Sequence, residues 1–194
     1  MNDREMIFDR KNIRPWIAIF AVLAVTPVLL RLEGRTWWCS CGSYGIWSGE
    51  IWSQHNSQHF LDPYSFTHIL HGVLFYGILA CLIPKAPVMW RLCIATGLEA
   101  LWELLENSQL IIDRYRESTM ALGYNGDSIF NSTGDLFSCA AGFLIARYLG
   151  LRYSILMFIV IEIVLLFWIR DNLTLNIVML ICPIEAVKNW QIMH

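Results

Sequence analysis

Charge is what this sequence has least of: 14 Lys and Arg and 16 Asp and Glu among 194 residues come to 15%, where soluble domains carry about 25%. So sparse a charge excludes a disordered chain, a basic nucleic-acid-binding tail and most cytosolic enzymes. Neither sign predominates. A formal net charge of −2 offers no electrostatic case for a polyanion, and no nucleic-acid partner is expected. Cysteines are few and scattered: Cys81, Cys93, Cys139 and Cys182 fall in apolar stretches and behave as small apolar residues. Cys39 and Cys41 are one residue apart, where a disulfide would be strained, and without a second pair they are a weak metal signal. The first apolar run also lacks a small-residue cleavage site and is followed by Arg31, Glu33 and Arg35, so it reads as a retained span rather than a signal peptide.

What is abundant is hydrophobicity, 56% of the chain, gathered into runs near the roughly 20 residues a helix needs to cross a bilayer. Five runs stand out, over 15–30, 65–83, 88–110, 128–149 and 154–169, with a break at Pro84-Lys85-Ala86-Pro87. A sixth, 173–190, is interrupted by Asn176, Pro183 and Glu185, with Asp171 or Asn172 as its cap; a sixth span is favoured over a helix lying in the interface. The expected fold is an all-α, polytopic transmembrane bundle of five or six spans, one integral membrane domain over 1–194 whose partner is the lipid bilayer.

Lys and Arg placement orients it. With the N-terminus inside, Arg4, Arg10, Lys11, Arg14, Lys85, Arg91, Arg147, Arg152 and, with a sixth span, Lys188 face the cytoplasm, against Arg31, Arg35, Arg114, Arg116 and Arg170 outside. Segment 1–14 is then cytoplasmic, 31–64 and 111–127 are outer segments, and Trp37, Trp38, Trp47 and Trp52 read as an interfacial aromatic belt. A bacterial inner membrane is the expected location.

Most acidic residues, with His55, His59, His68 and His71, fall in the outer half. Ionisable groups in hydrocarbon are costly and face a bundle interior or a wet cavity. Helical spacing gathers them into stripes: Ser65, His68 and His71 on span two; Glu99, Glu103 and Glu106 on span three, continued by Asp113 should that helix run on; Asp127, Asn131 and Asp135 on span four. One outward-opening polar chamber is expected. Three chemistries fit it. His68, His71 and Glu103, with Glu106 and Asp135 in reserve, suit a divalent metal such as zinc or iron. Alternatively, Glu103, Glu106, His68 and Asp135 act as acids and bases on a lipid head group. In the third, the chamber binds a phosphate-bearing lipid or relays protons without catalysis. Arg114 and Arg116 would hold an anionic head group, with Asp113, Asp127, Asn131, His59 and Asn107 as further binding residues. Against each residue stands the plain alternative of a polar group bonding across helices to fix packing, and His68 and His71 lack the catalytic Glu of an H-E-x-x-H pattern. Glu162, alone in span five, suits packing or a pore.

Several stretches carry a resemblance: Asn56-Ser57-Gln58-His59, Tyr64-Ser65-Phe66-Thr67-His68-Ile69-Leu70-His71-Gly72, Trp102-Glu103-Leu104-Leu105-Glu106-Asn107-Ser108, Ile111-Ile112-Asp113-Arg114-Tyr115-Arg116, Gly126-Asp127-Ser128-Ile129 and Arg170-Asp171-Asn172. They resemble an uncharacterised family of bacterial multi-pass inner-membrane proteins over about residues 37–191. The resemblance implies location and topology and no catalytic roles. A more distant likeness is to VanZ-like membrane proteins, linked to glycopeptide resistance. In them a carboxylate late in one span precedes an arginine-bearing loop and a D-x-x-x-N-x-x-G start to the next, comparable with Glu103 or Glu106, Arg114 or Arg116, and Asp127, Asn131 and Gly134 here. The leading functional expectation is binding or modification of a cell-envelope lipid or lipid-linked substrate. The rivals are an ion- or proton-coupled transporter and an assembly subunit.

Overall fold

A computed structural model describes residues 13–119 and 123–193, which leaves Arg4, Arg10 and Lys11 of the expected cytoplasmic segment outside the described part. The architecture is all-helical, 70% helix with no strand among the described residues. The elements are α1 (Ile13–Leu32), α2 (Ser65–Leu82), α3 (Val88–Glu106), α4 (Gln109–Ser118), α5 (Ile129–Ile169), α6 (Leu173–Ile181) and α7 (Glu185–Ile192).

Local chemistry sets these boundaries. Asp62 Oδ1 accepts from the Tyr64 and Ser65 N–H groups at 2.8 and 3.3 Å, satisfying donors at the start of α2. The Ser128 hydroxyl oxygen accepts from the Asn131 N–H at 3.1 Å to cap α5, and Asn172 Oδ1 accepts from the Leu175 N–H at 2.8 Å to cap α6. Glu162 adds a second cap to α6, its carboxylate taking the Leu173 and Thr174 N–H groups at 2.9 and 3.1 Å. That answers the isolated carboxylate of the fifth run: it is a packing residue.

Helix α5 is formally 41 residues, about 60 Å if straight. Yet Asp135, near its start, accepts from the Ser65 hydroxyl, while Trp168, near its end, packs on Phe66, and Asp171 just beyond accepts from the Tyr64 hydroxyl. Both ends therefore meet the same end of α2, and α5 is a hairpin. It turns at Gly150, whose φ of 72° and ψ of 171° are non-helical and fall in the region that glycine enters without a Cβ penalty. The Ser154 hydroxyl closes the turn on the Ala146 carbonyl at 3.3 Å. The two arms, 129–149 and 151–169, are the expected fourth and fifth runs.

Two expectations need correction. The 88–110 run ends early, because Ser108 is extended at ψ 148° and separates α3 from α4. The 173–190 run is not one helix: Cys182 and Pro183 divide it into pieces of nine and eight residues, each too short to cross a bilayer. Both lie against α4 at the polar end of the bundle: Arg114 donates to the Leu180 and Ile181 carbonyls, and Lys188 to that of Glu117.

Among the described residues three helices are long and apolar enough to cross a membrane, α1, α2 and α5. The outward faces of α1 and the second arm of α5, including Ile17, Phe20, Val28, Ile159, Ile163 and Phe167, are apolar and exposed. The bundle is divided along its length. Ile19, Leu79, Met89, Leu92, Ala95 and Phe143 close one end with an apolar core; the polar stripes occupy the other. Helices α2 and the first arm of α5 touch backbone to backbone: a Cβ on Gly72 would fall 2.0 Å from the Cys139 carbonyl oxygen, and one on Gly142 2.0 Å from that of Ile69.

Candidate functional site

The three stripes meet as expected. His68 lies between them, buried, with Nδ1 2.5 Å from Glu99 Oε1 and 3.5 Å from Glu103 Oε1, and Nε2 3.9 Å from Asp135 Oδ2. His71, one turn on, puts Nδ1 3.0 Å from Glu99 Oε2. Asp135 is steadied by the Ser65 hydroxyl at 2.8 Å. Glu103 is the exception: both its oxygens are buried without a hydrogen-bond partner among the described residues, because Glu99 takes the nearer position on His68.

Two sets of potential metal ligands share His68: His68, His71 and Glu99, and His68, Glu103 and Asp135. The expected triad of His68, His71 and Glu103 is thus divided between them. Glu99, a stripe residue left out of the expected ligand set, supplies the carboxylate that bridges both histidines. An i,i+3 pair on α2 presents two rings to one neighbouring helix, and Glu99 is one turn deeper than Glu103.

Beyond this centre the polar network reaches the loops. Asp127 Oδ2 accepts from Asn107 Nδ2 at 2.9 Å, Asp127 Oδ1 from the Tyr124 hydroxyl at 3.0 Å, and Asn107 Oδ1 from the Asp127 N–H at 2.7 Å. Asn131 donates to the His59 carbonyl at 2.7 Å. Burial pushes the Asp127 carboxyl up to about 6, against the bonds from Asn107 and Tyr124. Burial likewise brings Asp171 to about 7, against bonds from Asn172, Asn176, Tyr64 and Gln191. The Tyr64, Tyr115 and Tyr124 hydroxyls are held above their usual range, by burial first and then by neighbouring carboxylates. Asp62, Tyr64, Tyr124 and Asp171 were missed as site residues. Their signals were present as helix caps and loop tyrosines, which have no helical register to align.

The network borders a cavity of about 1150 Å³. Its apolar lining is Leu74, Phe75, Leu98, Leu101, Trp102 and Leu105 from α2 and α3; its polar lining includes His68, Glu106, Asp127, Asn131, Asp135 and Asp171. Leu98, Leu101 and Leu105 are exposed, so the apolar lining is accessible rather than sealed. Arg35 is the one Lys or Arg among the lining residues.

Three expected binding residues have other partners. Arg114 is committed to the α6 carbonyls. Arg116 donates to the Tyr124 carbonyl at 2.6 Å and to the Asn125 side chain. Asp113 is exposed, paired with Arg116 at 3.4 Å and Gln109 at 2.8 Å, since the break at Ser108 takes it off the α3 stripe. His59 is buried behind the wall and joins the chamber only through its carbonyl.

Residues 30–193 match a family described as a protein of unknown function, DUF2585. The chain belongs to this family. The DUF2585 match contains every residue of the chamber. The chain is 47% identical over 176 residues to a UPF0314 protein of Sphingopyxis alaskensis, an alignment covering 91% of this chain and 94% of the relative. It is 44% identical over 186 residues to one of Sinorhizobium fredii, covering 94% of each, and 41% identical over 186 residues to one of Paracoccus denitrificans, covering 96% of each. No solved structure matches. These DUF2585 relatives are bacterial and carry no activity in their names, and none of the matches adds support to the VanZ likeness.

Proposed function

We propose that this protein binds an amphiphilic cell-envelope lipid or lipid-linked substrate in the chamber and brings its head group to a divalent metal held by His68, His71, Glu99, Glu103 and Asp135. The observation that carries this is the pairing of an accessible apolar lining with a buried His and carboxylate centre in which Glu103 lacks a donor. A carboxylate buried without a hydrogen-bond donor is costly, and a cation beside His68 would reduce that cost. The ion also supplies the positive charge for an anionic head group that Arg114 and Arg116, engaged elsewhere, do not. A bound metal polarises a phosphoryl or carbonyl oxygen and lowers the pKa of bound water, the chemistry of hydrolysis or group transfer. The membrane is read as the bacterial inner membrane, with the chamber facing the periplasm.

A transport path is disfavoured by the apolar core of Ile19, Leu79, Leu92 and Phe143, which closes the far end of the bundle. Elemental analysis of the detergent-purified protein tests the proposal. The parent should hold metal in stoichiometric amount, and His68→Ala and Glu103→Ala should each lose one equivalent and the co-purifying lipid with it. Folded parent without metal at these residues, or without lipid beyond the bulk composition, overturns it.

A further inference from the structure

A second cluster lies outside the chamber, in the coil between α1 and α2. Cys39 is buried and Cys41 exposed, both thiols are free, and their sulfurs are 3.0 Å apart, well beyond the roughly 2.05 Å of a disulfide. His55 Nδ1 faces both, 3.4 Å from Cys39 Sγ and 3.6 Å from Cys41 Sγ. The His59 ring stacks beside it with centroids 4.9 Å apart. Cys39 Sγ and one nitrogen from each histidine lie within 4.8 Å of one another.

His59 supplies the independent sign of a ligand. It is 7% exposed; Nδ1 lies 3.4 Å from the Trp47 carbonyl oxygen, and Nε2 is buried with no partner among the described residues. A backbone carbonyl that accepts a hydrogen bond from Nδ1–H fixes the tautomer and leaves the Nε2 lone pair for a metal, the usual arrangement of a ligating imidazole. The ring packs closely on Gly45, where a Cβ would fall 2.8 Å from Nδ1, so the absence of a side chain there leaves it this place.

We propose that Cys39, Cys41, His55 and His59 form a closed, tetrahedral structural site for zinc. Two thiolates and two imidazoles select zinc over magnesium or calcium, and four protein ligands leave no open position for catalysis. Thiolates sharing one zinc stand about 3.7 Å apart at Zn–S distances of about 2.3 Å, a spread that the exposed Cys41 reaches by rotating its side chain. The ion would tie residues 39–41 to 55–59. That strap leads directly into the chamber wall, where the Ser128 hydroxyl donates to the Gln58 carbonyl at 2.9 Å and Asn131 to that of His59. The site is independent of the proposed chamber metal and shares no ligand with it.

Cobalt(II), added to the full chain in detergent with reductant, is the probe. Besides any cobalt taken up by the chamber, the parent should bind one equivalent with thiolate-to-cobalt charge-transfer absorption in the near ultraviolet and the intense visible bands of tetrahedral cobalt, and zinc should displace it. Cys41→Ser and His59→Ala should each weaken that binding at least about tenfold. The double variant Cys39→Ser with Cys41→Ser should abolish the charge-transfer band, whereas His71→Ala should leave it intact. Cys41 is exposed, so its variant keeps the test valid should a buried substitution unfold the chain; circular dichroism and gel filtration check this. A folded, reduced parent without the band, a band that survives the double variant, or a Cys39–Cys41 disulfide that forms in the presence of zinc overturns the proposal.

Discussion

Asp171 shows how single side chains at the polar end are poised. Burial raises its carboxyl from an ordinary 3.8 to about 7, so the folded chain holds that proton more tightly than the unfolded chain does. Its contribution to stability is whole below about pH 4, is lost as the pH rises to about 7, and is flat beyond. A shift of that size at one group is worth roughly 4 kcal/mol. Asp171→Asn mimics the protonated form, and its thermal midpoint in detergent should gain on the parent by several degrees between pH 4 and 7; a pH-independent difference would show that Asp171 does not titrate there. At this scale the sequence is informative wherever a helix supplies the register. His68, His71, Glu103 and Asp135 were legible because residues three and four apart share a face. Arg114 and Arg116 were not, because an arginine in a segment between spans looks the same whether it awaits a phosphate or bonds a neighbouring carbonyl. Nor was the pairing of Cys39 and Cys41 with His55 and His59, which depends on a coil with no periodicity to read.

Helices α2 and α5 form the tightest contact in the fold, and glycine permits it. Gly72 and Gly142 each face the partner helix's backbone rather than a side chain that can move. Either one changed to Ala should force the helices apart at a cost of about 1–3 kcal/mol, read as a lower thermal midpoint. The double variant should cost less than the sum, since the first separation makes room for the second Cβ. Gly77→Ala, on the same helix with nothing within 4 Å of its Cβ, should be neutral or stabilising; equal losses at Gly72 and Gly77 would argue against close packing as the cause. Helix ends marked by proline, such as 84–87, were legible, as was the turn between the arms of α5. The divisions at Ser108 and Cys182 were not, because a hydropathy run measures apolar length and is insensitive to one extended residue.

The whole molecule is asymmetric along its length, with an apolar core at one end, carboxylates and histidines at the other, and a fold that returns its C-terminal helices to the polar end. The break at Cys182 therefore bears on topology. With α6 and α7 beside α4, Lys188 joins Arg31, Arg35, Arg114, Arg116 and Arg170 at that end, leaving eight of the 14 Lys and Arg for the opposite side. For the expected orientation with the N-terminus inside, the bias in Lys and Arg along the sequence narrows to eight against six. On that orientation, five crossings, with both arms of α5 and the glutamate-bearing α3 among them, would put the turn at Gly150 in the cytoplasm and the C-terminus in the periplasm; a sixth would return the C-terminus to the cytoplasm. Paired reporters distinguish these. A phosphatase active only in the periplasm should be silent when fused after Tyr153 and active at the C-terminus, and a fluorescent protein that matures only in the cytoplasm should show the reverse. Phosphatase activity after Tyr153 would invert the bundle and turn the chamber towards the cytoplasm. Silence of the phosphatase at both positions, with fluorescence at both, would restore the sixth span and separate α6 from the chamber it borders.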